Sequence, residues 1–331
     1  MHESPSGSVP PPVVALVGPT GVGKTALSIA VGQHLAAEIV NADSRSFYRG
    51  MDIGTAKVSP EDRALVPHHL VDILDPTEPM SLATFQDRTY ETIAAIHARR
   101  HVPLLVGGTP QYVNAVMEGW SIPRVAPDEA LRQALADEAE RDGVAALAAR
   151  LAAVDPVAAE KSGANLRRII RALEVYEATG QPITALQEKR GVPFATLEFE
   201  LWAPRDLLYE RIDRRVDAQI ADGLVDEVRS LRRMGVPDDA ASFSSIGYRQ
   251  LLPFLRGEGS LDDAVERIKL DSHRLVRHQQ TWFRKNPRLI RIDTTEPGWD
   301  RDVIGQIDQF VAPWMQLQGR SDAHRGAHLG S

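Results

Sequence analysis

The sequence predicts an α/β fold, in which helices flank a parallel sheet and an all-helical subdomain is inserted. Three observations indicate this class. Short apolar runs alternate with amphipathic segments over the first third of the chain, which is typical of βα units. A glycine-rich turn joins the first apolar run to the first amphipathic segment. Alanine-rich helical patterns with clear caps then replace the strand-like runs over residues 120–196.

The first part of the chain predicts strands and helices in alternation, because each short apolar run is followed by a segment of helical periodicity. The predicted elements are a strand at 13–17, a helix at 23–35, strands at 38–42 and 69–74, a helix at 82–99 and a strand at 103–106.

The region 120–196 is interpreted as the inserted helical subdomain. Asp128, Asp155 and Asn165 are residue types that cap helix N-termini, and Gly180 is a typical stop for the last helix. We expect that last helix to present a basic ridge, since its arginines recur at helical spacing. They are Arg167, Arg168 and Arg171.

The strand pattern returns after the insertion and completes the core. The predicted elements are a strand at 197–203, helices at 205–221, 224–234 and 261–285, and a strand at 288–293. Residues 13–119 and 197–314 are therefore assigned to one catalytic core. The polar, aperiodic segments 1–12 and 315–331 are expected to be disordered.

Composition narrows the class of protein. The 331 residues are 43% hydrophobic and contain no cysteine, which excludes disulfides, thiolate zinc sites and cysteine nucleophiles. No apolar stretch is long enough to span a membrane, and no signal sequence is evident, so a cytoplasmic location is expected. The net charge of −7 opposes nucleic-acid binding, but arginine clusters allow a local basic groove. Solvated helix faces are the alternative explanation of those arginines.

The glycine-rich turn fits the phosphate-binding template GxxxxGK[ST] and lies between a strand and a helix, as that template requires. Its glycines allow backbone amides to surround phosphate oxygens at the positive end of the helix. Lys24 adds a mobile cation, and the Thr25 hydroxyl is suited to ligate Mg²⁺. An ordinary glycine-rich turn is the alternative, which the flanking strand and helix disfavour. The predicted fold is therefore P-loop NTPase-like.

Two more polar residues are expected beside this loop. Asp43 and Thr109 each follow a predicted strand, and the carboxyl ends of parallel strands line one crevice. Asp43 has three open roles: magnesium ligand, base for a nucleophile, or cap of the next segment. Thr109 is equally suited to cap its own helix. The strand before Thr109 lacks the terminal Asp that nucleotide hydrolases use to hold magnesium, which favours group transfer over coupled hydrolysis.

Motifs in order along residues 13–284 resemble the bacterial tRNA dimethylallyltransferases, also called tRNA isopentenyltransferases. The run at 50–57 is more diagnostic than the phosphate loop. The motifs are Gly-Pro-Thr-Gly-Val-Gly-Lys-Thr at 18–25, Asn-Ala-Asp-Ser at 41–44, Tyr-Arg-Gly-Met-Asp-Ile-Gly-Thr-Ala-Lys at 48–57, Gly-Gly-Thr-Pro-Gln-Tyr at 107–112, Arg168 with Arg-Ala-Leu-Glu at 171–174, Ile212–Arg215, Ile-Gly-Tyr-Arg at 246–249 and Thr-Trp-Phe-Arg at 281–284.

The resemblance implies transfer of the dimethylallyl group from dimethylallyl pyrophosphate to N6 of the adenosine 3′ to a tRNA anticodon. It implies that Asp43 is the catalytic base, that the Thr109 hydroxyl positions it, and that Mg²⁺ is a cofactor with Thr25 as ligand. Residues implied to bind pyrophosphate are Gly18, Thr20, Gly21, Val22, Gly23, Lys24, Thr25 and Arg215. Residues implied to contact tRNA are Asp43, Ser44, Arg45, Ser46, Thr109, Arg167, Arg168, Arg171, Gly247, Tyr248 and Arg249.

The implied partners are the tRNA anticodon stem-loop and dimethylallyl pyrophosphate, with the insertion closing on the stem, no membrane contact and a monomeric chain. Many family members have glutamine where this chain has Ser46. If the division of labour holds, Arg171→Ala weakens tRNA binding and leaves donor affinity almost unchanged.

Two other classes of protein share some of these features. A P-loop kinase has the same loop and sheet, but it binds ATP tightly and transfers a phosphoryl group. If the chain were instead a non-catalytic RNA-binding ATPase, Asp43→Ala would be expected to retain all function.

Overall fold

The computed structural model describes residues 9–187 and 189–328, which form two compact units. The core unit contains the described residues up to Met117 and from Pro193 onward, and the insertion is Glu118–Val192. The sequence pattern predicted an insertion at 120–196. Across the described residues, no helix combines the length and the apolar character needed to cross a membrane.

The core unit contains a six-stranded parallel sheet, which confirms the predicted fold class. Its strands are β1 (Pro12–Val17), β2 (Ala37–Asn41), β3 (His68–His69), β4 (Val102–Gly107), β5 (Ala195–Trp202) and β6 (Ile290–Asp293). The strand order is β3-β2-β4-β1-β5-β6. β1 and β2 are buried along their whole length, as expected for central parallel strands covered by helices on both faces.

Strand β3 is much shorter than the predicted strand at 69–74. Leu70 and Asp72 have positive φ angles of 59° and 56°, so the chain turns directly after His69. Left-handed backbone is incompatible with an extended strand. The sequence did not indicate this turn, because neither residue is a glycine.

Helices surround the sheet. Those of the core unit are α1 (Lys24–His34), α2 (Pro60–Leu65), α3 (Leu82–Ala98) and α4 (Pro110–Met117) before the insertion. The insertion contains α5 (Glu129–Asp142), α6 (Val144–Val154), α7 (Pro156–Ser162), α8 (Leu166–Thr179) and α9 (Ile183–Leu186). The core unit then continues with α10 (Arg205–Ala221), α11 (Leu224–Arg233), α12 (Tyr248–Leu255), α13 (Leu261–Phe283) and α14 (Trp299–His328).

Helix α14 continues past residue 315, where the sequence predicted disorder to begin, and ends at His328. Val303, Ile307, Val311 and Trp314 are buried at helical spacing, which anchors the first half of this helix. The predicted disordered start of the chain lies outside the described residues up to residue 8, and β1 already begins at Pro12.

The insertion has its own apolar core, as its alanine-rich helices predict. Leu135, Leu147, Leu151, Ile169 and Leu173 are all at most 2% exposed. The predicted caps are confirmed: side-chain oxygens of Asp128, Asp155 and Asn165 accept backbone N–H bonds from the third residue of their helices. Gly180 ends α8 with a left-handed φ of 69°.

Candidate active site

The phosphate loop, residues 18–23, leaves the end of β1 and leads into α1. Gly18, Gly21 and Gly23 have φ angles of 148°, 83° and 105°, which side chains rarely tolerate. A Cβ atom at Gly18 would lie 2.4 Å from the Leu201 carbonyl oxygen. Val22 is buried in the core at 1% exposure. The loop is therefore held in one conformation at the start of α1, where the helix dipole favours an anion.

Lys24 folds back onto the loop. Its Nζ donates hydrogen bonds to the carbonyl oxygens of Gly18 at 2.8 Å and Pro19 at 2.9 Å. Burial lowers the pKa of Lys24 to about 8; the nearby Asp43 carboxylate opposes this effect, and Arg215 adds to it. The Lys24 ammonium is thus held at the loop, and it loses its proton more readily than an exposed lysine does.

Helix α10 adds two arginines to the same place. The Arg215 side chain lines the cavity beside the loop, and the surrounding protein lowers its pKa by shielding it from bulk water. An arginine stays protonated despite such a shift. Arg211 Nη1 donates to the Gly21 carbonyl oxygen at 3.3 Å, which ties α10 to the phosphate loop.

Asp43 is held in a tight turn after β2. Asn41 clamps its backbone on both sides: Oδ1 accepts from the Asp43 N–H at 3.0 Å, and Nδ2 donates to the Asp43 carbonyl at 3.1 Å. The Asp43 Oδ1 accepts the Arg45 N–H at 2.9 Å. In the described part of the chain no residue donates to its Oδ2. Asp43 therefore caps its own turn with one carboxylate oxygen, and the other oxygen accepts no hydrogen bond from the described residues.

Thr109 lies where β4 leads into α4. Its Oγ1 accepts the Ser44 N–H at 3.4 Å, and its carbonyl accepts the Tyr112 and Val113 N–H groups at 3.0 and 3.2 Å. The hydroxyl thus supports the residue after Asp43, and Thr109 also begins α4. Thr109 thus begins α4, as one sequence interpretation suggested, while its role in positioning the base stays a prediction.

One cavity of about 350 Å³ connects these groups. Its polar and glycine lining residues include Thr20, Gly21, Gly23, Lys24, Thr25, Asn41, Asp43, Ser46 and Arg215. Its apolar lining residues include Ala26, Ile39, Ala56, Val58, Val71 and Val106. A cavity of this size and mixed lining suits a small ligand with one anionic end and one apolar end.

The donor set for a metal consists of oxygen atoms. Within residues 9–187 and 189–328 there is no group of three or more acidic, histidine or cysteine side chains able to hold a metal. The Thr25 hydroxyl and the Asp43 carboxylate line the same cavity. Such a sparse set fits Mg²⁺, which keeps several waters and shares its site with phosphate oxygens.

Residues 48–58 contribute Thr55, Ala56 and Val58 to the cavity lining, and the contacts that hold this segment were not predicted. Lys57 is 2% exposed, and its Nζ donates to the Tyr48 carbonyl at 2.7 Å, to Asp52 at 2.5 Å and to Asp72 at 2.6 Å. The Glu227 carboxylate accepts the Asp52, Ile53 and Gly54 amides at 2.8 to 3.2 Å. Asp72 and Glu227 lie far along the sequence from parts of this segment, so their contacts with it were not predicted. The sequence marked this segment only through the family motif at 50–57.

The residues expected to contact tRNA divide into exposed and buried ones. Arg45 reaches Ser244 Oγ at 3.1 Å, and Arg249 is 56% exposed beside Asp271 at 3.2 Å. Tyr248 is fully buried and donates its hydroxyl proton to Glu227, while Gly247 is buried at the start of α12. A Cβ at Gly54 would lie 2.4 Å from the Tyr248 ring. The Tyr248 ring thus packs against Gly54 and is not available to RNA in this conformation, and a contact of this segment with tRNA stays a prediction.

The three arginines of α8 in the insertion also differ from one another. Arg167 and Arg168 are exposed. The Arg171 guanidinium instead donates to Glu174 at 2.5 Å and to the carbonyls of Pro123 and Val125 at 3.2 and 3.1 Å. Arg171 therefore also holds a segment of the insertion in place, so its loss should destabilise the insertion, while its contact with tRNA stays a prediction.

A parallel sheet with a phosphate loop at the end of β1 and a carboxylate at the end of β2 defines a P-loop enzyme. The IPP transferase family model matches residues 46–286. The chain is 50% identical to a tRNA dimethylallyltransferase of Thermomicrobium roseum over 301 residues, which is 91% of this chain and 92% of that protein. The chain belongs to this family of prenyl-transferring enzymes.

Solved structures agree with this assignment. The full-length tRNA isopentenylpyrophosphate transferase of Bacillus halodurans is 38% identical and has a TM-score of 0.65, covering 94% of this chain and 99% of that one. A eukaryotic dimethylallyltransferase acting on tRNA is 24% identical with a TM-score of 0.77, covering 92% of this chain and 80% of that one. The second likeness supports the fold.

Proposed function

We propose that this enzyme transfers the dimethylallyl group of dimethylallyl pyrophosphate to N6 of the adenosine adjacent, on the 3′ side, to the anticodon of tRNA. The observation that carries the proposal is a single cavity lined by the phosphate loop, by Arg215 and by the Asp43 carboxylate. The name shared by relatives that are 50% identical supports the same reaction. A kinase is disfavoured because those relatives are named for prenyl transfer.

The phosphate loop is the proposed site of the donor's diphosphate. Amides at the start of α1, Lys24 and Arg215 surround this end of the cavity. Negative charge grows on the diphosphate as the carbon–oxygen bond breaks, so preorganised donors stabilise the transition state more than the bound donor. Removal of one such donor typically costs about a hundredfold or more in rate.

Magnesium is the proposed cofactor at the same end. The Thr25 hydroxyl would hold it, with diphosphate oxygens and water completing the coordination. When bound, the ion neutralises charge on the leaving group. Unchanged donor affinity of Asp43→Asn in Mg²⁺ would exclude Asp43 as a further ligand of the ion.

The apolar residues that line the cavity form the proposed site of the dimethylallyl tail. Ile39, Ala56, Val58 and Val71 line this part of the cavity. Their surfaces hold a short branched hydrocarbon without leaving polar groups unsatisfied. Enclosure also keeps water away from the allylic carbon while the bond to oxygen breaks.

Asp43 is the proposed general base. The adenine amine is a weak nucleophile, and its nitrogen must lose a proton as it bonds to the allylic carbon. The Oδ2 atom of Asp43 accepts that proton, and pyrophosphate leaves with the electron pair of the broken bond. A positioned base contributes roughly 10² to 10⁴ in rate. Thr109 acts as a positioning residue through Ser44.

The tRNA base must leave its stack to reach the cavity, and an anticodon loop offers the least costly position for this. A basic cluster on the core unit is suited to hold the RNA backbone. Arg249, Arg267 and Arg274 surround the nearly buried Asp271 carboxylate at 2.9 to 3.3 Å and keep 56 to 57% of their side chains exposed. Three arginines around one acid leave a positive surface suited to phosphates.

Further tRNA contacts are proposed for the loop after β2 and for the insertion. Ser44, Arg45 and Ser46 follow the catalytic turn, and Arg167 and Arg168 are exposed on α8. The partner is the anticodon stem-loop. We further propose a monomeric chain that acts in the cytoplasm, where tRNA is modified.

Incubation with radiolabelled dimethylallyl pyrophosphate and unmodified tRNA tests the function. We expect label in tRNA, and nucleoside analysis should identify N6-dimethylallyladenosine. Transfer of phosphate from labelled ATP without any prenyl transfer would instead indicate that the protein is a kinase. Label on another nucleoside would contradict the proposed acceptor position.

A further inference from the structure

A buried glutamine of α13 joins two loops of the active site. Gln279 is 4% exposed and extends its carboxamide between the phosphate loop and the loop after β4. Its Oε1 accepts the Thr20 N–H at 3.1 Å, and its Nε2 donates to the Gly108 carbonyl at 2.7 Å. The two bonded partners are 259 and 171 residues away in the sequence.

Both bonds need a carboxamide, because one end must accept and the other must donate. A carboxylate would face the Gly108 carbonyl oxygen with a second acceptor. Gly108 also makes room for the amide, since a Cβ there would lie 2.6 Å from the Gln279 Nε2 and 3.3 Å from the Gly18 carbonyl oxygen. The contact thus depends on a glutamine and a glycine together.

The two joined loops carry the two halves of the proposed reaction. Thr20 lies in the phosphate loop and lines the cavity, and with its amide engaged it offers the cavity its side chain. Gly108 precedes Thr109, whose hydroxyl accepts the Ser44 N–H next to Asp43. The two hydrogen bonds of Gln279, the peptide bond from Gly108 to Thr109 and the Thr109–Ser44 hydrogen bond therefore connect the phosphate loop to the turn that holds the base.

We propose that Gln279 is a positioning residue that sets the distance between the diphosphate site and the Asp43 turn. This inference rests on the proposed function, because it assigns donor and base to those two loops. Misplacement of reacting groups by about 1 Å can cost roughly a hundredfold in rate. Loss of the Gln279 carboxamide should therefore lower the transfer rate beyond any loss of stability.

The next residue in the chain provides a matched control. Gln280 is 3% exposed, accepts the Arg205 Nε–H at 2.9 Å and donates to the Ala203 carbonyl at 3.1 Å. Neither partner lines the cavity. Gln280 therefore has the same burial and the same type of bridge as Gln279, but away from the proposed chemistry.

The experiment compares Gln279→Met with Gln280→Met in the full chain. Methionine keeps the length of the side chain and removes both hydrogen bonds, so we expect similar losses of stability in urea unfolding. Only Gln279→Met should weaken the binding of inorganic pyrophosphate, by about tenfold, and reduce kcat/KM for prenyl transfer, by roughly tenfold to a hundredfold. Gln280→Met should stay within about threefold of the wild-type protein in both measurements.

A second variant covers the case in which Gln279→Met does not fold. In Gln279→Glu the protonated acid can still donate to Gly108, whereas the ionised acid cannot. The rate of this variant relative to wild type should therefore rise as pH falls. Equal behaviour of Gln279→Met and Gln280→Met, or a pH-independent ratio for Gln279→Glu, overturns the inference. A wild-type protein that binds pyrophosphate but prenylates no tRNA would instead refute the proposed function.

Discussion

At the scale of single residues, the cavity combines a cation and an anion that are each held by backbone groups. Lys24 donates to two loop carbonyls, and Asp43 accepts from the amide two residues ahead. Each side chain is thereby oriented before a ligand arrives, which lowers the cost of ordering on binding. Burial of Lys24 lowers its pKa, and this effect can be measured through the pH dependence of donor affinity.

Donor affinity should decrease above the Lys24 pKa of about 8. Burial lowers this pKa, so the free protein loses the Lys24 proton at a pH where an exposed lysine keeps it, and anion binding must then recover it. We expect affinity for dimethylallyl pyrophosphate, without tRNA, to fall by about eightfold between pH 7.5 and 9. Lys24→Arg keeps its charge and should flatten this dependence. An unchanged slope in Lys24→Arg would exclude Lys24 as the titrating group.

At the scale of elements, residues 48–58 depend on groups from far along the chain. Lys57 bridges Tyr48, Asp52 and Asp72, and Ala56 beside it has a positive φ of 47°. Thr55, Ala56 and Val58 line the cavity, so this network holds one wall of the cavity in place.

Lys57→Met should destabilise the protein and deform this wall. The substitution removes the donor to the Tyr48 carbonyl and to Asp52 and Asp72. Asp72 keeps Arg63 at 2.7 Å, so the loss should come from the unmade hydrogen bonds of the nearly buried Lys57 side chain and amount to about 1 to 3 kcal/mol. Urea unfolding should show that loss, while the exposed Lys285→Met should change the free energy of unfolding by less than about 0.5 kcal/mol. If both variants unfold alike, Lys57 has no special role in the fold.

The sequence predicted elements whose signals are local. The phosphate loop needs only its glycines and the adjacent strand and helix, and Asp128, Asp155 and Asn165 cap helices through the next three residues. Asp43 was placed correctly in the cavity because the ends of parallel strands meet at one edge.

Features that depend on distant partners were missed. The burial of Tyr248 depends on Glu227, which also binds the amides of residues 52–54. Arg171 was expected to face RNA, but Glu174 and two carbonyls of the insertion bind it. The left-handed backbone at Leu70 and Asp72, which shortens β3, also has no glycine to mark it.

At the scale of the whole molecule, net charge and local charge have opposite signs. The chain carries a net charge of −7, yet Arg249, Arg267 and Arg274 form an exposed cluster around one carboxylate. Phosphate binding depends on local charge and counterion release, so an acidic protein can still bind tRNA through such a cluster.

Arg249→Ala should weaken tRNA binding and reduce its dependence on salt. One lost phosphate contact lowers the slope of log affinity against log salt by about 1. Titrations of tRNA at several salt concentrations measure this slope, with Arg301→Ala on α14 as the control. Donor affinity should stay the same in both variants. A salt slope equal to that of wild type would remove Arg249 from the RNA-binding surface.

The central claim is that one cavity holds the diphosphate and presents Asp43 to the acceptor amine. Single-turnover prenyl transfer by Asp43→Asn, at saturating donor and tRNA, tests it most directly. Asparagine can still accept the Arg45 N–H, so the turn and the donor affinity in Mg²⁺ should persist, while the rate should fall by roughly 10² to 10⁴. A rate equal to wild type, or a rate loss explained entirely by weaker donor binding in Mg²⁺, would contradict the role of Asp43 as the base.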